Sequence, residues 1–152
     1  MAIIDKPSDY FNTVLYTGNG STQSITGVGF QPDLIWGKSR NQTEGHSWND
    51  VVRGATKSIL SNTSAAQETI SGVTSFNSDG FSLGSNAHMN ANSSSMVSWN
   101  WKAGGSASSN TTGSINSSVS VNTDAGFSIV KYTGNATVST IGHGLGVAPK
   151  MI

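Results

Sequence analysis

The feature that most constrains this chain is a stretch that occurs twice. Phe11 to Trp36, FNTVLYTGNGSTQSITGVGFQPDLIW, returns in degraded form as Phe127 to Ile152. Phe11, Val14, Tyr16, Thr17, Gly18 and Asn19 meet Phe127, Val130, Tyr132, Thr133, Gly134 and Asn135 at a constant offset of 116 residues, and Ile25 meets Ile141 in the same register. After a one-residue slip, Gly29, Pro32 and Ile35 meet Gly146, Pro149 and Ile152. Self-similarity at a fixed spacing marks a modular array, and a unit this long exceeds any solenoid or propeller repeat, so each copy should be a small domain.

The 152 residues have room for one such domain and a fragment of the next. The expected organisation is an N-terminal arm at 1–10, a β-sandwich module at 11–103, a linker at 104–114 and a partial second module at 115–152. The linker assignment rests on GGSASSNTTG, which has the composition of a flexible spacer. A partial module is expected to be completed by chain beyond Ile152 or by another chain, because a lone hairpin is not stable in water.

Gly, Ser, Thr and Asn dominate where Lys, Glu and Leu are scarce, which favours strands and tight turns over helices. Phe11 to Thr17 and Thr22 to Thr26 read as a hairpin around the Gly18-Asn19-Gly20 turn. Val14 and Tyr16 are retained in the second copy whereas Leu15 becomes Lys131, so the Val-Tyr side should be buried and the Leu15 side at least partly wet. Further strands are expected at Asp33 to Lys38, before Leu60 after a turn at Gly54, and at Phe81 to Leu83 after the Asn77-Ser-Asp79-Gly80 turn. Others are expected at Met96 to Ala103 and near Ile115 to Val121. Ser61 to Gly72 reads as a polar loop with a helical turn at Ala65 to Thr69, and Ser85 to Ser95 as another polar loop. In Met96 to Ala103 the face carrying Val97, Trp99, Trp101 and Ala103 is expected to be core. Trp36, Trp99, Trp101, Phe11, Phe76, Phe81 and Tyr16 are its expected aromatic members. Short strands separated by Gly- and Asn-rich turns indicate an all-β fold, an antiparallel β-sandwich.

Charged residues are 11% of the chain and sum to zero, so no field steers nucleic acid or an anionic membrane to it. No apolar run approaches the roughly 18 residues of a spanning helix, and MAIIDKPSDY places charges where a signal peptide needs its apolar segment, so a soluble protein without an encoded secretion route is expected. No cysteine is present, so stability rests on packing and backbone hydrogen bonds. No cofactor is called for.

Glu44, His46, Trp48 and Asp50 alternate with small residues, which on a strand puts all four on one face. Trp48 beside hydrogen-bonding groups has the make-up of a saccharide platform. The alternative is structural: Trp48 packs under a loop and Asp50 pairs with Arg53 to fix the turn before Gly54. A glycoside hydrolase would need carboxylates about 5 to 9.5 Å apart. Glu44 and Asp50, six residues apart on a strand, are separated by about 20 Å, so that pair is excluded and an enzyme is not expected. Asn77-Ser-Asp79-Gly80 could offer calcium its oxygens but fits an Asx turn better, so no metal is expected.

YFNTVLYTGNGSTQSITGVGFQPDLIW, HSWNDVVRGATK with SNTSAA after it, and TSFNSDGFSLG followed by VSWNWKAGG together resemble the repeated module of structural proteins in marine tailed bacteriophages, such as those infecting cyanobacteria and SAR11-type bacteria. DAGFSIVKYTGN with GHGLGVAPKMI resembles the start of the next module. The resemblance implies a concanavalin A-like or laminin G-like sandwich, of the jelly-roll, lectin-like kind, in a virion protein labelled tail fibre or tail-associated. It implies other virion proteins as partners, a homo-oligomer for which a trimer is the guess from the class, and host surface glycan as a target. Nucleic acid and membrane are not implied. A capsid or tail decoration protein is the alternative.

Overall fold

Runs of alternating large and small side chains, interrupted every few residues by Gly, Asn or Asp, form short strands in a computed structural model, which describes residues 4–152. They are β1 (Phe11–Thr17), β2 (Gln23–Thr26), β3 (Leu34–Ser39), β4 (Ser47–Asp50), β5 (Lys57–Leu60), β6 (Glu68–Thr69), β7 (Val73–Asn77), β8 (Gly80–Leu83), β9 (Ser95–Trp101), β10 (Ser108–Asn110), β11 (Ser117–Asn122) and β12 (Phe127–Tyr132). Helix among the described residues is a 3-10 turn at Pro7–Asp9 and the single turn α1 (Ala87–Asn90). The expected N-terminal arm keeps that 3-10 turn, and its first three residues lie outside the described residues.

The fold is all-β and antiparallel. A six-stranded sheet in the order β1-β9-β3-β4-β5-β6 carries the three-stranded sheet β2-β8-β7 on one face. Between them lies the main core: Ile25, Phe81, Leu83 and Val73 from the small sheet, Ile35 from the large one, and Val28, Phe30 and Met89 from the connections. Fully burying side chains of this size is worth roughly 1.5 to 3 kcal/mol each, which makes this cluster the main source of stability. A third sheet, β10-β11-β12, lies against the opposite face of the large sheet, where Ile129 and Phe127 cover Leu34, Trp101 and Ala103.

The repeated stretch is not a hairpin in either copy. β1 pairs with β9, and β2 pairs with β8 in the other sheet, so Gly18-Asn19-Gly20 carries the chain from one layer to the next. Asn90 holds that crossing: its side-chain carbonyl accepts from Asn19 N at 2.9 Å and its backbone carbonyl from Gly20 N at 2.9 Å. Gly18 is required there because a Cβ would collide with the Ala91 carbonyl. In the second copy only the first strand recurs, as β12 paired with β11, and Ile141 makes an isolated parallel bridge to Ile115.

The two copies also bury opposite sides. On β1, Val14 and Tyr16 pack against the core and Leu15 is 61% exposed, as the Leu15-to-Lys131 replacement predicts. On β12, Ile129 is buried, Lys131 Nζ donates to the Val52 carbonyl at 3.3 Å, and Tyr132 is 52% exposed. The second copy therefore docks with the face that the first leaves open.

Several expectations are corrected. On β9 the face toward the main core is Met96, Ser98 and Asn100, all fully buried; of the face expected to be core, Val97 and Ala103 are buried, Ala103 in the cluster under the third sheet, whereas Trp99 and Trp101 are half-buried. Of the expected aromatic core members, only Phe81 is fully buried. The stretch 104–114 contains β10 and is tied down, because Asp33 Oδ2 accepts from Ala103 N at 2.8 Å and from Gly105 N at 3.0 Å. Glu68 and Thr69 form β6 where a helical turn was expected, and the Ser85 to Ser95 loop contains α1, which inserts Met89 into the core.

The Asn77-Ser-Asp79-Gly80 turn joins β7 to β8 and also anchors a second loop. Asp79 accepts from Gly29 N at 2.6 Å and from Gly27 N at 3.0 Å, two glycines at positive φ. These backbone bonds hold its carboxyl below the usual carboxylate range, Gly29 contributing most. With a depressed folded-state value, the contribution of Asp79 is present above the unfolded-state value and is lost as pH falls through the folded one. Asp79→Asn should therefore lower stability at neutral pH and converge with the parent in strong acid; urea melts in both conditions read this, and an equal difference at both would refute it.

Candidate functional site

Alternation on β3 sends Ile35, Gly37 and Ser39 inward and Leu34, Trp36 and Lys38 to the outer face of the large sheet. Gly37 leaves room for the end of the Met89 side chain, which a Cβ there would displace. Register then aligns one residue from each neighbouring strand with Trp36. Trp99 of β9 and Trp48 of β4 are its direct cross-strand partners, Thr13 of β1 is opposite Trp99, and Ile59 of β5 is opposite Trp48. The result is a row across five strands, Thr13-Trp99-Trp36-Trp48-Ile59, with ring centroids 5.2 Å apart for Trp36 and Trp99 and 5.3 Å for Trp36 and Trp48. The rings are inclined by 52° and 46°, so neighbouring indoles pack against one another in tilted pairs. Cross-strand aromatic pairs of this kind contribute roughly 0.2–1 kcal/mol each.

The four residues expected to share a face divide into two pairs. His46 and Trp48 stay at the row: His46 Nδ1 accepts the Trp36 Nε1 proton at 3.0 Å, and the two rings lie 5.7 Å apart. Trp48 abuts the cluster containing Leu34 and Ile129, and its Nε1 is buried without a hydrogen-bond partner among the described residues. It therefore presents ring surface and no polar handle.

Glu44 and Asp50 are engaged elsewhere. Glu44 precedes β4 and its Oε2 lies 3.0 Å from His88 Nδ1, the same nitrogen that lies 3.2 Å from Gly45 N. Without a proton Nδ1 accepts from Gly45 N, and with one it donates to Glu44; one nitrogen cannot do both. Asp50 is fully buried. Its Oδ1 accepts from Val52 N at 3.0 Å and Arg53 N at 2.8 Å, while Oδ2 pairs with the Arg53 guanidinium. Gly54 N donates to the Asp50 carbonyl at 3.0 Å, closing the turn. Burial pulls the Arg53 guanidinium below its ordinary value.

Trp36 and Trp99 are the row members that spacing along β4 could not reveal. The signal was a tryptophan at the outward phase of two other strands, and only strand pairing aligns them with Trp48. Around the row, Lys38 Nζ donates to the carbonyls of Ser39 at 2.7 Å and Gln42 at 3.1 Å, and Lys57 Nζ to Thr69 Oγ1 at 2.6 Å, neutral acceptors that hold the two ammonium groups in place and leave their charge. Among the described residues no three His, Asp or Glu side chains converge as a metal would require. A concavity of about 440 Å³ lies at the second copy, lined by Gln67, Ser109, Ser117, Lys131 and Tyr132, and contains none of the tryptophans.

Residues 6–152 match the family described as a domain of unknown function (DUF7483), and the chain belongs to that family. No curated protein and no solved structure matches it.

Proposed function

We propose that this chain is a non-enzymatic structural component of a tailed-bacteriophage virion, tail fibre or tail-associated, that acts by contact with the host surface. The reading starts from the likeness of its module to those of phage structural proteins. One observation carries it at the level of chemistry. The outer face of the large sheet keeps Trp36, Trp48, Trp99 and Leu15 only partly covered, while the nearby carboxylates are used in local structure: Asp50 on Arg53 and Glu44 beside His88. A face rich in rigid aromatic surface and poor in free acid suits binding better than acid-base catalysis.

Decoration of a capsid or tail lattice is the second reading, favoured by the free edges of β1 and β12, each the last strand of its sheet. Gold-labelled antibody against the chain, applied to purified particles of a phage that encodes it, separates the readings. Label at the tail supports the proposal, label over the capsid supports the second, and particles without the chain overturn both.

A further inference from the structure

We infer that the open edge of β1 is a self-association site, at which β1 of a second copy pairs antiparallel about a twofold axis at Val14 and joins two large sheets into one. The inference goes beyond the proposed function and does not depend on it. It rests on where the backbone of β1 points, on what that strand lacks, and on the symmetry of the groups it leaves free.

Lys102 N donates to the Tyr10 carbonyl at 2.8 Å and Gly18 N to the Ser94 carbonyl at 2.9 Å, so the even-numbered residues of β1 direct their backbone groups at β9. Phe11, Thr13, Leu15 and Thr17 therefore direct theirs at the opposite edge, which no strand among the described residues occupies. Two of these groups have local partners. Thr13 N donates to Asn12 Oδ1 at 2.9 Å, and the Thr17 carbonyl accepts from Gln23 Nε2 at 3.2 Å. The others are left to water.

Edge strands are ordinarily blunted by brevity, charge, proline or a bulge. The far edge of the large sheet is β6, two residues long, and the third sheet ends on β10, three residues long, and on β12, which carries Lys131. In the small sheet β2 has four residues and β7 a register shift between Val73 and Ser75. β1 has seven residues, no charge, no proline and an unbroken register against β9. Where β12 has its lysine, β1 has Leu15, 61% exposed.

Symmetry identifies the occupant. The four residues that bond outward lie evenly about Val14, so a second β1 running antiparallel sets Thr13 opposite Leu15 and Phe11 opposite Thr17. Each N–H of the four then meets a carbonyl of its counterpart, Thr13 N exchanging its Asn12 contact for one. No like charges face each other. The pairing closes after two copies and leaves the short β6 at both ends of the joined sheet. With the axis perpendicular to the sheet, the tryptophan faces of both copies point the same way.

Sedimentation equilibrium on the full chain over a wide range of concentrations tests the inference. An equilibrium between monomer and dimer, with no larger species, is expected. Leu15 turns its N–H to the open edge, so Leu15→Pro removes no bond to β9 and takes two from the symmetric pair; association should weaken about tenfold or more with the fold kept. Leu15→Lys should act in the same direction by setting like charges diagonally across the axis, and at so exposed a position it folds even where proline disturbs the strand. The chain has no cysteine, so Val14→Cys carries a single thiol, which the axis places opposite its own copy. Mild oxidation should link that variant into a dimer, and adding Leu15→Lys should suppress the link. A chain that stays monomeric at every concentration, a dimer that both Leu15 variants leave intact, or one that Val14→Cys does not cross-link overturns the inference. Particle labelling is independent of this outcome. A monomeric chain found on the tail loses the edge contact and keeps the proposed role, and a dimer absent from particles does the reverse.

Discussion

Asp50→Ala is expected to destabilise the chain by about 3–5 kcal/mol, the usual cost of removing one partner from a buried ion pair. The Asp50 side chain is fully buried and Arg53 is 22% exposed, so Arg53 cannot simply turn its charge into water. The same substitution strips the acceptor from Val52 N and Arg53 N, and unmet buried donors add to the loss. For a chain of this size each kcal/mol moves Tm by roughly 2–4 °C, so a fall on the order of 10 °C is expected. Asp50→Asn retains an acceptor for the two backbone groups and loses the charge, and should fall between parent and alanine. If Asp50→Ala melts with the parent but loses ligand binding, the assignment of Asp50 to the turn is wrong and it belongs to the recognition face.

Phe81→Ala should cost about 3–5 kcal/mol, because it empties a fully buried ring position between the two sheets of the first module. Ile25, Val73, Leu83 and the edge of Tyr16, 6.3 Å away between centroids, surround the side chain and can relax only partly into the gap. Leu15→Ala, on the opposite face of β1 and 61% exposed, should stay within about 0.5 kcal/mol of the parent. Urea midpoints of the two variants measure which side of the large sheet is core. Equal losses, or a larger one at Leu15, would contradict the layer order described above.

Alternation within strands was legible in the sequence, but which face of β9 is inward was not. Large aromatic residues are ordinarily weighed as core, yet the inner face of β9 is Met96, Ser98 and Asn100, and the inner face of β4 includes Ser47 and Asn49. These short polar side chains bond to one another and to backbone, as in Ser47 to Ser58 at 2.8 Å and Asn100 to the Asn12 carbonyl at 3.1 Å, so burial did not demand apolar residues there. No local pattern announces that arrangement.

Turn chemistry was equally informative and equally incomplete. Gly18-Asn19-Gly20 marked a turn correctly, but its hydrogen bonds go to Asn90, 71 residues from Asn19. A turn motif states that the chain bends and not which strands it joins. The β7-β8 and β11-β12 connections, each carrying Asp and Gly before a Phe-led strand, are hairpins. At the candidate site, the pairing of Asp50 with Arg53 was readable from their three-residue spacing. The tryptophan row was not, since it requires the cross-strand register of β9, β3 and β4.

The claim on which the account depends is that the tryptophan face of the large sheet is a contact surface directed away from the particle. A cryo-EM reconstruction of intact particles, at a resolution that places side chains, tests it most directly. The account predicts the chain on the tail with Trp36 and Trp99 facing solvent and its subunit contacts made by other surfaces. Density showing that row covered by a neighbouring virion subunit, or no copy of the chain on the particle, would contradict it.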